Sequence, residues 1–180
     1  MKISTQSKIA VFIFIILLTS CTSKHETNTQ MPLQVFLVRH GEKIDNSKDP
    51  SLSAEGLERA LTLAGVPRNA EIEYVHSSDF IRTRDTAAPI ADAQELEVEL
   101  YDPDNLSVLV EKLRRTGGRH LVVGHSGSTP SMVELLGGDP GAEINEESEF
   151  DRLYIVTVAK DKSVNTVMLR YGNIYNPKLN

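Results

Sequence analysis

Leu33-Gln34-Val35-Phe36-Leu37-Val38-Arg39-His40-Gly41-Glu42 is the stretch from which the rest of the chain is best read. Leu33–Val38 is a compact apolar run of strand length, and it ends in a guanidinium, an imidazole and a glycine. In open α/β sheets, ligands collect beyond the carboxyl ends of the strands. A strand that stops at residues able to do chemistry fits that architecture and sets a condition for any site: its residues should lie just after strands.

Downstream, short β-branched runs alternate with helical stretches. Leu52–Ala64 carries helical spacing, with Ser53 as N-cap and Gly65-Val66-Pro67 as the stop. A strand at Tyr74–His76 precedes a helix at Ile81–Ala91, whose last turns Pro89 restricts. Leu96–Tyr101 alternates as a strand, and Asn105–Arg115 shows a helical apolar face closed by Gly117-Gly118. His120–Val123 is a strand running into Gly124, and Pro130–Leu136 is a helix ended by Gly137-Gly138. After the acidic loop Asp139–Asp151, Leu153–Val158 and Val164–Tyr171 form a hairpin around Asp161-Lys162. Four strand–helix alternations predict an α/β three-layer sandwich, with a mainly parallel central sheet and helices on both faces.

The chain has 180 residues, 40% hydrophobic and 24% charged, which suits one domain with a full core. The formal net charge of −6 argues against sequence-independent nucleic-acid binding, which relies on attraction to phosphates. A single Cys excludes an intrachain disulfide, and no Cys/His cluster has zinc spacing, so no metal is expected.

That Cys stands at the end of an N-terminal segment unlike the rest. Lys2 and Lys8 precede an unbroken apolar run, Ile9–Leu18, about half the ~20 residues a membrane span needs. A basic start, a short apolar stretch and small residues make a secretory signal. Leu18-Thr19-Ser20-Cys21 resembles the bacterial lipoprotein signal, in which the Cys becomes the acylated first residue. Residues 1–20 are therefore read as a signal peptide, 21–32 as a flexible tether holding His25 without a role, and 33–180 as the domain. Cleavage removes two lysines and no acid, so acyl chains rather than a basic patch would hold the protein at a membrane. The expected location is the exported side of a bacterial envelope. Thr22 carries no acid to suggest inner-membrane retention, so in a two-membrane envelope the outer membrane, facing the periplasm, is favoured.

Three segments meet the condition on strand ends. They are Arg39-His40-Gly41-Glu42, then His76-Ser77-Ser78 with Arg82 one helical turn on, then Gly124-His125-Ser126-Gly127. Brought to one sheet edge they supply two imidazoles, two guanidiniums and small residues that allow close approach. Arginine forks match phosphoryl oxygens. A neutral imidazole can attack phosphorus and carry the group, while a second donates to the charge that develops.

Arg39-His40-Gly41-Glu42 resembles the signature of the histidine phosphatase superfamily, the phosphoglycerate mutase-like proteins. Asp49-Pro50-Ser51-Leu52-Ser53-Ala54-Glu55-Gly56, Ser77-Ser78 through Arg82 to Thr86-Ala87, and Val122-Val123-Gly124-His125-Ser126 are similar to further stretches of that family, in its order. The resemblance covers about Leu33 to Gly138. It implies a phosphoglycerate mutase-like fold with His40 as the phosphate-accepting nucleophile, and with Arg39, Arg82 and His125, next to Ser126, completing the phosphate pocket. It further implies a metal-independent reaction without a cofactor, on a phosphorylated small molecule or phosphoprotein.

Many members place a glutamate after the third strand as proton donor, where this chain reads Leu100-Tyr101-Asp102-Pro103-Asp104-Asn105. Asp102 is the candidate substitute, and Asp104 reads as an N-cap. Glu42, two residues from His40, is a second candidate or orients the loop. The segment resembles instead the short phosphohistidine phosphatases, where that acid is not evident. His76 reads as pocket wall or as a residue just behind it, rather than a catalyst, and His120 as structural. Arg84 points away, Arg114-Arg115 complement a helix dipole, and Glu146, Glu147 and Glu149 form a solvated loop. An esterase is excluded, because Ser128 replaces the last glycine of the nucleophile elbow and no His follows His125. A phosphoglycerate mutase-like transferase and a catalytically silent phospho-ligand-binding lipoprotein are the alternatives to a phosphatase.

Overall fold

A computed structural model describes residues 32–66 and 70–176. The signal segment, Cys21 and the tether up to Met31 lie outside the described residues. Ten elements follow in order: β1 (Leu33–Arg39), α1 (Ala54–Gly65), β2 (Tyr74–Ser78), α2 (Ile81–Ala93), β3 (Val98–Tyr101), α3 (Leu106–Thr116), β4 (Gly118–Gly124), α4 (Ser128–Leu135), β5 (Arg152–Val158) and β6 (Val164–Arg170).

Side chains on β1 divide by parity, as alternation in a strand requires. Leu33, Val35 and Leu37 pack with Leu109, Val110 and Leu113 of α3 and Met132 and Val133 of α4. Phe36 and Val38 pack on the other side with Leu63 of α1 and Ala87, Ile90 and Ala91 of α2. Helices therefore cover both faces and the core is two apolar layers. At about 1.5–3 kcal/mol for each fully buried aliphatic side chain, these layers dominate the folding energy.

The six strands lie in the order β3-β2-β4-β1-β5-β6. The four strands from β3 to β1 are parallel, whereas β1–β5 and β5–β6 are antiparallel. The expected mainly parallel sheet is thus parallel over its first four strands, and the final hairpin extends it beyond β1 into an antiparallel edge.

Local chemistry explains the boundaries. Ser53 Oγ accepts from Gly56 N at 3.2 Å, the expected cap of α1, worth about 1 kcal/mol. α3 starts differently from expectation. Asn105, not Asp104, holds the cap position, and the Asp104 amide donates to Asp102 Oδ1 at 3.0 Å in a tight Asx turn. In the acidic loop Glu146 and Glu147 are exposed, as expected, but its end is not solvated. Glu149 and Asp151 are buried, Glu149 held by Arg152 and Arg170 and Asp151 by Arg170.

Candidate active site

Parallel pairing of β1 with β4 sets Arg39 opposite Gly124, and the His40 amide donates to Gly124 O at 2.9 Å. The two strands therefore end together, and each next delivers an imidazole. His40 and His125 meet edge to face with ring centroids 5.5 Å apart.

His40 is 3% exposed, and its Nδ1 lies 2.7 Å from Gly41 O. A carbonyl oxygen only accepts, so Nδ1 carries the proton and Nε2 keeps its lone pair. Burial pushes the His40 pKa down to about 2, with Arg39, His125 and Arg82 adding in the same direction against the Gly41 bond. The ring is thus neutral, as an attack on phosphorus demands.

His125 is fixed from both sides. Ser78 Oγ lies 2.8 Å from Nε2 and Arg82 Nη2 lies 3.4 Å from Nδ1. A guanidinium only donates, so Nδ1 accepts and the Nε2 proton goes to Ser78 Oγ. Ser78 Oγ in turn donates to Thr83 Oγ1 at 3.2 Å. Burial, then Arg82 and Arg39, lower the His125 pKa to about 4.

Arg82, in the first turn of α2, stacks on Phe80 at 4.5 Å and approaches Asp49 Oδ1 at 3.6 Å. Its Nε and Nη1 are buried without a hydrogen-bond partner. Arg39 departs from expectation. Instead of a fork free for phosphoryl oxygens, its Nη1 donates to Asn145 O at 3.2 Å and Glu149 O at 3.1 Å, and its Nη2 to Glu146 O at 2.5 Å. The guanidinium lies over the Phe150 ring at 4.0 Å, and only Nε is left buried and unpartnered. Burial lowers the Arg39 pKa to about 10.

Neither proton-donor candidate is brought to this pocket. Glu42 faces Arg59, which donates to it from Nε at 3.0 Å and Nη2 at 2.7 Å, and Arg59 also holds Tyr171 O and Asn173 O. Glu42 is thus a buttress of the turn after His40. Asp102 is exposed, engaged in its own turn, at the end of the edge strand β3, three strands from β1. His76 is not pocket wall: its Nε2 lies 3.0 Å from His120 Nδ1 and its Nδ1 3.3 Å from Glu99. Ser126 follows His125 half-buried and opens onto the neighbouring cleft.

Sequence reasoning missed Asp49, which accepts from Ile81 N at 2.9 Å and faces Arg82, and Phe150, whose ring supports both Arg39 and His40. Asp49 had a signal, since it opens a quoted motif. Phe150 had none.

Close backbone approach completes the site. A Cβ on Gly41 would lie 2.8 Å from Gly56 O, and one on Gly56 only 2.3 Å from Glu42 O. The N-terminus of α1 therefore packs directly on the turn that carries His40. Replacing Gly56 with Ala should destabilise by about 2 kcal/mol or more, although Gly to Ala inside a helix ordinarily stabilises by ~1 kcal/mol. Urea denaturation checks the sign, and a variant as stable as wild type would refute the packing argument.

The sequence profile described as histidine phosphatase superfamily (branch 1) matches residues 35–103, which holds Arg39, His40 and Arg82. Over that stretch, less than half of its length, the chain is similar to the histidine phosphatase superfamily. Its members are phosphatases or mutases. A probable phosphoglycerate mutase GpmB of Escherichia fergusonii is 34% identical over 125 residues, 57% of this chain and 58% of that protein. Over a shorter match to the GpmB of Escherichia coli the share of that protein is 46%, so the chain spans about half the length of these relatives. Among solved structures, the protein histidine phosphatase SixA with tungstate aligns with a TM-score of 0.61 at 21% identity, covering 77% of this chain and 97% of SixA. A phosphoglycerate mutase from Bacillus anthracis str. Sterne aligns with a TM-score of 0.61 at 15% identity, covering 78% and 93%. These likenesses show that the superfamily fold is shared.

Proposed function

We propose that this chain is a member of the histidine phosphatase superfamily and a metal-independent phosphatase working through a phosphohistidine on His40. The observation that carries the reading is the neutral, buried His40 ring with Nδ1 tied to Gly41 O and Nε2 free. In the first step Nε2 forms a bond to phosphorus as the bond to the leaving oxygen breaks. Arg82 and the Arg39 Nε–H face the phosphoryl oxygens, and His125 donates to them once their negative charge draws a proton onto it. In the second step water attacks phosphorus, the N–P bond breaks and His40 returns neutral. With Glu42 and Asp102 held elsewhere, the leaving oxygen takes its proton from solvent, which favours weakly basic leaving groups such as phenols over alkoxides. Mixing enzyme with a radiolabelled aryl phosphate and quenching in base should trap acid-labile, base-stable label. Activity abolished by chelators and restored by a divalent ion would reject the mechanism. A mutase would show transfer to a second substrate hydroxyl in place of water. Acylation at Cys21 would tether the enzyme to an envelope membrane, as the mass of the mature N-terminus will reveal.

A further inference from the structure

Beside the two imidazoles lies a cleft of about 380 Å³ between the turn after His125 and the loop Asp139–Asp151. Ser126 and Gly127 form one wall, continuous with His125. Glu134 of α4 and Glu143 and Glu146 of the loop bring the charge, and among the described residues no lysine, arginine or histidine lines it. The loop wall is held in place. Arg152 donates to Ala142 O at 2.5 Å and Glu143 O at 3.0 Å, while Arg39 donates to the carbonyls of Asn145, Glu146 and Glu149. Two buried guanidiniums thus fix the backbone that presents Glu143 and Glu146.

An independent observation places the anionic end of a ligand. Arg39 is 2% exposed, yet its Nε has no hydrogen-bond partner, and the buried Nε and Nη1 of Arg82 also make no hydrogen bond, Nη1 facing Asp49 only at 3.6 Å. Buried donors without acceptors are costly, and an anion beside them removes the cost. Arg82 Nη2 lies 3.4 Å from His125 Nδ1, and Arg39 and His40 both lie against the Phe150 ring, so that anion sits where the imidazoles act. The site is therefore bipolar, cationic around the phosphoryl group and acidic in the cleft that adjoins it. A leaving portion bearing a carboxylate would be repelled there, and one bearing an ammonium would be attracted.

We infer that the substrate is a phosphate ester whose leaving portion carries a positive charge, an amine held by Glu134, Glu143 and Glu146. This rests on the phosphatase reading above and narrows its substrate class. Three aryl phosphates with similar phenol leaving groups test it: tyramine phosphate with a cationic tail, phenyl phosphate with none, and phloretic acid phosphate with an anionic one. In wild type kcat/KM should fall in that order, with about tenfold between the extremes, and the span should shrink as salt rises. The double variant Glu143→Gln, Glu146→Gln should bring the ratio of cationic to anionic substrate close to one. Taking the ratio within each protein cancels any loss of folded enzyme. Equal rates for the two charged tails in wild type, or an unchanged ratio in the double variant, would overturn the inference alone. No hydrolysis of any of the three would remove the phosphatase reading and this inference with it.

Discussion

Replacing His40 with Asn should lower kcat/KM by about 10⁴-fold or more, the scale of losing a covalent nucleophile, and should abolish the trapped label. The argument is chemical rather than steric. Asn is close in volume, and its amide can still donate to Gly41 O, the one hydrogen bond recorded for the His40 ring. What it lacks is a basic nitrogen at the Nε2 position. The pocket of Arg82 and His125 survives, so substrate binding persists and the loss falls on kcat. Hydrolysis of p-nitrophenyl phosphate and far-UV circular dichroism read the two sides of this claim. A folded variant within tenfold of wild type would show that His40 is not the group that attacks.

The second large effect is on stability, and its sign follows from four histidines, His40, His76, His120 and His125, whose pKa values burial lowers. Burial lowers the pKa of His40 to about 2 and of His125 to about 4. Burial, with the neighbouring His120 next, also lowers that of His76, which is 1% exposed. In the unfolded chain each titrates near 6.5. Between those values the unfolded state binds more protons than the native state, so stability rises with pH. It is fully present above about pH 6.5 and drains away below, each ring contributing up to ~1.4 kcal/mol per pH unit. The His125 share levels off below about pH 4, where the native ring also protonates. Urea midpoints between about pH 7.5 and pH 5 should therefore fall steeply. His40→Asn should show a shallower fall, since one of the four rings with lowered pKa is gone. A flat midpoint over that interval would mean that these rings are accessible to protons in the folded protein.

The fold was legible because its signals are local. Each strand–helix alternation is written in local apolar spacing, and Leu33–Val38 stood out as a compact apolar run of strand length. The pocket was legible because Arg39, His40, Arg82 and His125 follow strands or open a helix, and parallel pairing of β1 with β4 makes neighbours of residues 85 positions apart in the register Arg39↔Gly124. What escaped reading depends on partners far along the chain. Nothing at Glu42 says that Arg59 will claim it. Nothing at Arg39 announces that the carbonyls of Asn145, Glu146 and Glu149 will take its terminal nitrogens. His76 sits at a strand end, but strand alternation sends its ring toward His120 and Glu99 rather than into the pocket. The acidic loop looked solvated because charge runs usually are, whereas burial of Glu149 depends on two arginines, one of them on the last strand.

Those distant partners also set when, during synthesis, the enzyme can become active. Arg39 closes contacts 106 and 110 residues away, and Arg59, which steadies the turn after His40, reaches 112 and 114 residues ahead to Tyr171 and Asn173. Closing such long loops is entropically slow, and no local structure substitutes for it. A nascent chain halted at Gly138 would contain every residue of the phosphoryl pocket and still lack both ties. Its nucleophile would sit on an unbraced turn, with Arg39 free to swing into water. Under the proposed mechanism, catalytic power is therefore acquired last, when the final hairpin docks beside β1, and an incomplete chain stays chemically quiet.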